Sequence, residues 1–212
     1  MNKEEILKAL NWRSAIKIFD PEKKLKEDEI RFILEVGRLA PSSSGFEPWK
    51  FIVVKDKTLR EKLYEVSFNQ SKVKDASDLI VITYRTDLAQ NGVKDLINRT
   101  ANIEGKKEEE LQNFKKAKED ALNIKIADGT LEEWAQAQTY IPLGMMIETA
   151  ALLGIDATPM EGFEAEKVDQ ILKLPEKNLK SITMLVLGKR GDDPYSKNKK
   201  VRRDFEDVVE FI

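Results

Sequence analysis

The chain of 212 residues contains no cysteine and no histidine. The first absence removes disulfides, thiolate nucleophiles and thiolate-ligated zinc. The second removes the Ser-His-Asp triad and the side chain best suited to proton transfer near neutral pH. An enzyme with this inventory works through carboxylates, lysine or tyrosine, or borrows its chemistry from a bound cofactor. No metal centre is expected.

Charge of one sign is also missing. Thirty-six basic side chains face thirty-eight acidic ones, a net charge of −2, so no overall field draws the chain to nucleic acid or anionic lipid. Any basic site is local. Long apolar runs are absent too: the amino terminus MNKEEILKALNW lacks the apolar core of a signal peptide, and the longest uncharged stretch, Trp134 to Ile147, is too short to cross a bilayer. The expectation is a cytoplasmic protein with no membrane partner. With 41% hydrophobic and 35% charged residues and no repeat or low-complexity linker, residues 1–212 read as one globular domain.

Within it, residues 26–40 place Ile30, Ile33, Leu34 and Gly37 at the spacing of a buried helical stripe, which Pro41 ends. Phe51–Val54, Leu79–Tyr84 and Ile182–Leu187 are apolar runs of the kind that form strands buried on both faces. Residues 132–153 predict a long central helix closed by Gly154, with Trp134, Ala137, Ile141, Gly144, Met145 and Glu148 at helical spacing. Residues 99–130 are charge-rich and weakly periodic, and predict an exposed helical excursion, either a lid or a solvated helix with no role. This order argues for an α+β or α/β sandwich, a small sheet inside helices. The tail KNKKVRRDFEDVVEFI ends on Val208, Val209, Phe211 and Ile212 with no obvious partner. It predicts an arm over residues 200–212, buried on a neighbouring subunit or docked on its own.

Chemistry gathers in five segments. Arg13 and Lys17, in RSAIK, lie four residues apart, a spacing that lets both address one anion. Lys200-Val201-Arg202-Arg203 is a second basic cluster, and each cluster alone also reads as a solvated patch. Asn69 and Lys72, in FNQSK, stand before the LIVITY strand as binders of a heterocycle's carbonyl edge or as ordinary surface residues. Residues 157–163, ATPMEGF, predict a loop shaped by Pro and Gly that presents main-chain N–H groups. APSSSGFEPWKF, residues 40–51, reads as a loop with three consecutive hydroxyls.

Taken together and in this order, RSAIK, APSSSGFEPWKF, FNQSKVKDAS, TPMEGF and the KVR of the tail resemble the FMN-dependent nitroreductase family, in particular its oxygen-insensitive NAD(P)H nitroreductase and dihydropteridine reductase branch. The resemblance runs from Arg13 to Arg202, with residues 99–130 outside it. It implies an intertwined homodimer with an exchanged C-terminal arm and two FMN sites at the subunit interface. Arg13, Ser14, Ala15, Lys17, Lys200 and Arg202 would hold the FMN phosphate and the pyrimidine side, with Lys17 facing the ring and the tail cations facing the phosphate. Asn69 and Lys72 would meet the flavin's polar edge, and Pro159 with the N–H groups of Glu161 and Gly162 would lie near N5 and O4. Pro41, Ser42 and Ser43 would come from the partner subunit.

No catalytic side chain is then needed, because flavin N5 carries the hydride. The implied activity is ping-pong oxidation of NADH or NADPH by a flat, electron-poor acceptor such as a nitroaromatic or a quinone. Lysine beside N1 and the C2 carbonyl would stabilise the charge that two-electron reduction puts there. Ala15 stands where serine is common, Gly45 where the nearest branch has Asn, and Glu47 where Gln is usual. A carboxylate at 47 facing the ring would lower the flavin potential. Phe114 is the candidate for a substrate-facing aromatic, whereas Phe46, Trp134 and Phe163 read as core or interface residues. Two other readings remain at this point: a flavin-binding regulator or carrier on the same scaffold without turnover, and a helical interaction module with basic patches.

Overall fold

The computed structural model describes residues 2–212. In chain order the elements are α1 (Lys3–Trp12), α2 (Glu27–Arg38), β1 (Trp49–Val53), α3 (Lys57–Glu65), α4 (Lys72–Asp75), β2 (Asp78–Arg85), α5 (Val93–Glu104), α6 (Gln112–Ala127), α7 (Leu131–Leu152), β3 (Asp156–Met160), α8 (Ala165–Leu172) and β4 (Leu179–Gly188). The four strands form one antiparallel sheet in the order β1-β2-β4-β3. This is the α+β sandwich expected from the sequence.

Alternation along the two central strands builds two cores. Leu79, Val81, Met184 and Val186 face one side, where they meet Leu63, Val73, Val168 and Leu172 of α3, α4 and α8. Ile80, Ile82, Leu185 and Leu187 face the other, against Ile30 and Ile33 of α2 and Leu143, Met146 and Ala150 of α7. Successive residues point to opposite faces of a strand, so an unbroken apolar run serves both layers. Gly37 lets α2 approach the sheet: a Cβ there would lie 2.8 Å from Met146 Sδ and 3.1 Å from the Phe51 ring. Gly37→Ala therefore forces the Met146 and Phe51 side chains to shift.

Two expectations are corrected. Half of the loop expected over 157–163 is strand β3, which pairs with β4 through Met160↔Met184. As an edge strand it accommodates Pro159, whose missing N–H would break a central ladder. The stripe expected to bury α7 lies largely on its outer side. Ala137, Ile141, Gly144 and Glu148 are exposed, and the buried side is Ala135, Gln138, Thr139, Pro142, Leu143, Met146, Ala150 and Ala151. A helix apolar all round has no polar face to set its phase, so spacing alone could not orient it.

The excursion is a helical pair, α5 and α6, anchored through Leu96 and Leu122 on Phe46 and, beside them, Trp134. The Phe46 and Trp134 rings meet edge to face at 5.8 Å. Residues 201–212 are exposed throughout, Phe211 at 88%, so the apolar residues of the arm are not buried on its own protomer. Among the described residues no helix is long and apolar enough to cross a membrane.

Candidate functional site

The site starts where α1 ends. Arg13 follows the helix in extended conformation, and Lys200 reaches across the chain to donate from Nζ to the carbonyls of Leu10 at 2.5 Å and Arg13 at 2.8 Å. A cation over the last carbonyls of a helix is well placed against its dipole, which fixes the tail beside residue 13. The result is a crowd of positive charge. Arg13 is held below its ordinary pKa by burial and then by repulsion from Arg202. Lys200 is pushed down by burial and then by Arg13 and Arg202. Arg13 Nη1 is buried without a hydrogen-bond partner.

A second pair of cations lies alongside. Burial pushes the Lys72 ammonium down, and Lys17 adds repulsion. The Lys17 backbone is fixed by Asp193, whose Oδ2 accepts from the N–H of Lys17 at 2.6 Å and of Ile18 at 3.3 Å, while Oδ1 accepts from Tyr195 N–H at 2.9 Å. Burial raises the pKa of Asp193, but these three N–H groups and the Lys17 charge outweigh it and hold the carboxyl below its usual range. The Lys17 ammonium rests over the Tyr195 ring, 3.8 Å from its centroid. Lys72 is positioned from beneath by Arg60, whose guanidinium donates to the carbonyls of Val73 at 2.9 Å, Ala76 at 2.8 Å and Ser77 at 3.0 Å.

Asn69 lies on a strained turn three residues before Lys72. Phe68 and Asn69 are both left-handed, with φ of 53° and 54°, a conformation that costs roughly 1–2 kcal/mol per residue away from glycine. Gln70 then bridges loops, donating from Nε2 to Ser67 O at 3.1 Å and Gly162 O at 2.7 Å. A Cβ on Gly162 would sit 3.1 Å from that amide nitrogen. Beside it, Glu161 accepts from the Tyr140 hydroxyl at 2.7 Å. Burial, followed by the bond and charge of Glu161, pushes Tyr140 up to about 12.

The structure thus gathers Arg13, Lys200 and Arg202 at one end, sets Lys17 and Lys72 together, and ties the Asn69 loop to Glu161 and Gly162. Ser14 and Ala15 lie on the extended segment between Arg13 and Lys17, and Pro159 on the edge strand leading to Glu161. Pro41, Ser42 and Ser43 are not brought to this group within one chain. Ser43 N–H donates to Gln138 at 2.8 Å, and Gln138 and Tyr140 leave α7 about 200° apart at 3.6 residues per turn. One of the three hydroxyls is used locally, since Ser42 Oγ accepts from Glu47 N–H at 2.8 Å and closes the loop. Glu47 is itself left-handed, with φ of 48°, and 3.7 Å from Arg99 of α5, whose guanidinium also donates to Gly45 O at 3.0 Å. Phe114 lies on α6, 37% exposed, with Lys118 above its ring.

Sequence reasoning missed Asp193, Tyr195, Arg60, Gln70 and Tyr140, which position other groups. Asp193-Pro194 carries the signal of a capped turn, and Gln70 lies inside a motif already singled out. Nothing local marks Arg60 or Tyr140. Among the described residues no cluster of acidic side chains could hold a metal ion.

Comparison with known proteins agrees with this frame. The model of the nitroreductase family matches residues 10–189. A protein of Staphylococcus haemolyticus provisionally named as an NAD(P)H nitroreductase is 39% identical over 99% of this chain and 98% of its own length. A similarly named protein of Staphylococcus epidermidis is 37% identical over 99% of this chain and 97% of its own. Among solved structures, a provisionally named nitroreductase of Bacillus subtilis superposes with a TM-score of 0.86 at 20% identity, over 100% of both chains. Another, from Exiguobacterium sibiricum in complex with FMN, gives 0.81 at 21% identity over 100% of this chain and 98% of that one. The chain belongs to the nitroreductase family.

Proposed function

We propose that the protein is an FMN-dependent NAD(P)H oxidoreductase working as a homodimer. The observation that carries this reading is the unpartnered, buried Arg13 Nη1 beside Lys200 and Arg202, where burial and then the neighbouring positive charges push Arg13 and Lys200 below their ordinary pKa values with no anion to offset them. A phosphate monoester of roughly −1.5 to −2 charges answers that need, and FMN is the bound or named flavin of the Exiguobacterium neighbour and of an NADPH:FMN oxidoreductase from Vibrio harveyi with the same fold.

FMN held there would supply two-electron hydride chemistry at N5, between NADH or NADPH and a flat acceptor such as a nitroaromatic or quinone. The chain's own residues bind and bias. Arg13, Lys200 and Arg202 hold the phosphate, and Lys17 and Lys72 face the pyrimidine side. Their mutual repulsion is relieved by negative charge, so they favour the reduced state of whatever they hold. Lys17 leaves its resting place over Tyr195 to do so. Asn69 supplies a further contact to the polar edge, and the free N–H of Gly162, whose carbonyl Gln70 fixes, one near N5 and O4. Histidine is not required.

The second copy is inferred from three unpartnered surfaces. These are the apolar outer side of α7, with open space at Gly144; the exposed arm 201–212; and the free edge of β1. An exchanged arm and α7 against α7 cover all three and carry Pro41, Ser42 and Ser43 to the partner's flavin. The α5–α6 pair, fixed to the serine loop through Arg99 and Phe46, then serves as a lid over that site.

The test is the visible spectrum. Purified protein, or apoprotein given FMN, is expected to be yellow, to bleach anaerobically with NADH or NADPH, and to recover colour on addition of a quinone or nitroaromatic. A chain that takes up no FMN contradicts the reading, and a yellow chain that neither nucleotide bleaches is a flavin carrier instead.

A further inference from the structure

A cavity of about 690 Å³ lies away from the cationic group, among the end of β2, the α6–α7 turn, α8 and the start of β4. It shares no lining residue with the site described above. Leu88, Leu131 and Leu179 give it an apolar wall, and its volume is within the roughly 300–1,000 Å³ of small-molecule sites.

Its charges are unevenly matched. The cations are engaged: Lys180 Nζ donates to Glu132 at 2.9 Å, and Arg85 forks onto Asp87 with both bonds at 2.9 Å and reaches Asp95 at 2.6 Å. The carboxylates of α8 form no ion pair within bonding distance among the described residues, although the charge of Lys180, itself bonded to Glu132, reaches Asp169. Asp169, only 8% exposed, lines the cavity and accepts from Ser181 N–H at 2.8 Å and Ser181 Oγ at 2.6 Å, both through Oδ1. Its Oδ2 accepts no hydrogen bond among the described residues. Glu166, three residues earlier on the same helical face, stands exposed at the rim with no cation partner. A carboxylate beside an apolar wall carries a desolvation cost that a cation inside the cavity offsets. A metal ion would keep its water against leucines, and an anion would be repelled by α8.

We propose that this cavity is a second small-molecule site, specific for organic cations that join a primary ammonium to an aromatic or aliphatic body. The ammonium sits on Asp169 Oδ2 with Glu166 at the rim, and the body lies against Leu88, Leu131 and Leu179.

The protein as purified is titrated calorimetrically with 2-phenylethylammonium, its neutral counterpart 2-phenylethanol and the anion 3-phenylpropionate, while any bound flavin is followed by absorbance. Saturable one-to-one binding of the ammonium is expected, at least tenfold weaker for the alcohol and absent for the anion, with flavin absorbance unchanged. Glu166→Gln, on the surface, should weaken the ammonium several-fold. Asp169→Asn, which keeps an acceptor for Ser181, should weaken it tenfold or more. Absence of saturable binding, equal binding of all three compounds, or ammonium affinity unmoved by Glu166→Gln would overturn the proposal, as would binding that perturbs the flavin spectrum.

Discussion

Arg13 and Arg85 are both half-sheltered guanidiniums at opposite ends of the sandwich, and their surroundings are reversed. Arg85 forks onto Asp87, binds Asp95 and is pushed above its ordinary pKa by them. Arg13 has other cations for neighbours, a buried nitrogen without a partner, and a pKa pushed down. The first arrangement is complete within the chain, as a stabilising ion pair must be. The second has no acidic partner to complete it, and in the proposed function a bound phosphate takes that place. Function is therefore sought at the unsatisfied arginine.

The largest effect should come from separating these two roles. Arg13→Ala should weaken FMN binding roughly 100-fold, about 3 kcal/mol, the scale of lost hydrogen bonds to a charged group, without lowering apoprotein stability in urea. Arg85→Ala should do the reverse, costing about 1–3 kcal/mol of stability with FMN affinity unchanged. If both variants lose stability and neither loses flavin, the contrast between the two sites is broken.

Next in size is the arm. Removal of residues 204–212 should shift the protein from dimer to monomer by light scattering. A truncated chain that stays dimeric argues against exchange.

Smaller is the loop bridge. Gln70→Ala, which frees Gly162 O, should weaken FMN roughly tenfold, about one lost hydrogen bond of 1–1.5 kcal/mol, as measured by fluorescence titration.

The least effect is on pH dependence. Lys72 and Lys200 have folded pKa values below the ordinary 10.5, so the unfolded chain binds more protons between the folded values and 10.5. Their penalty is present in full below the folded pKa values and is relieved as pH rises through that window. Apoprotein stability should therefore carry a rising contribution with pH there. Saturating FMN should flatten it, and Lys72→Met should remove the Lys72 share. Tyr140 acts oppositely, since its pKa is raised from 10.0 to about 12, and its contribution is lost as pH rises through that interval.

Much of this was legible in the sequence for a physical reason: apolar runs and the α2 stripe ended by Pro41 mark the sheet and one layer, and two basic clusters mark the cationic corner proposed to hold the phosphate. What was not legible depends on long-range geometry. The outer side of α7 is as apolar as its inner side, so only packing reveals which faces the sheet. β3 contains Thr158-Pro159 and becomes a strand because β4 offers an edge. That Arg13 is unpaired and Arg85 paired is a property of residues far apart in the chain. The roles of Asp193, Tyr195 and Arg60 are likewise contacts, invisible as composition.

The central claim is that the Arg13, Lys200 and Arg202 corner exists to hold a phosphate. The most direct measurement is the affinity of the apoprotein for FMN against riboflavin, the same ring system without the phosphate. FMN is expected to bind at least 100-fold tighter, with an advantage that shrinks as salt is raised. Equal affinities at low salt would contradict the account.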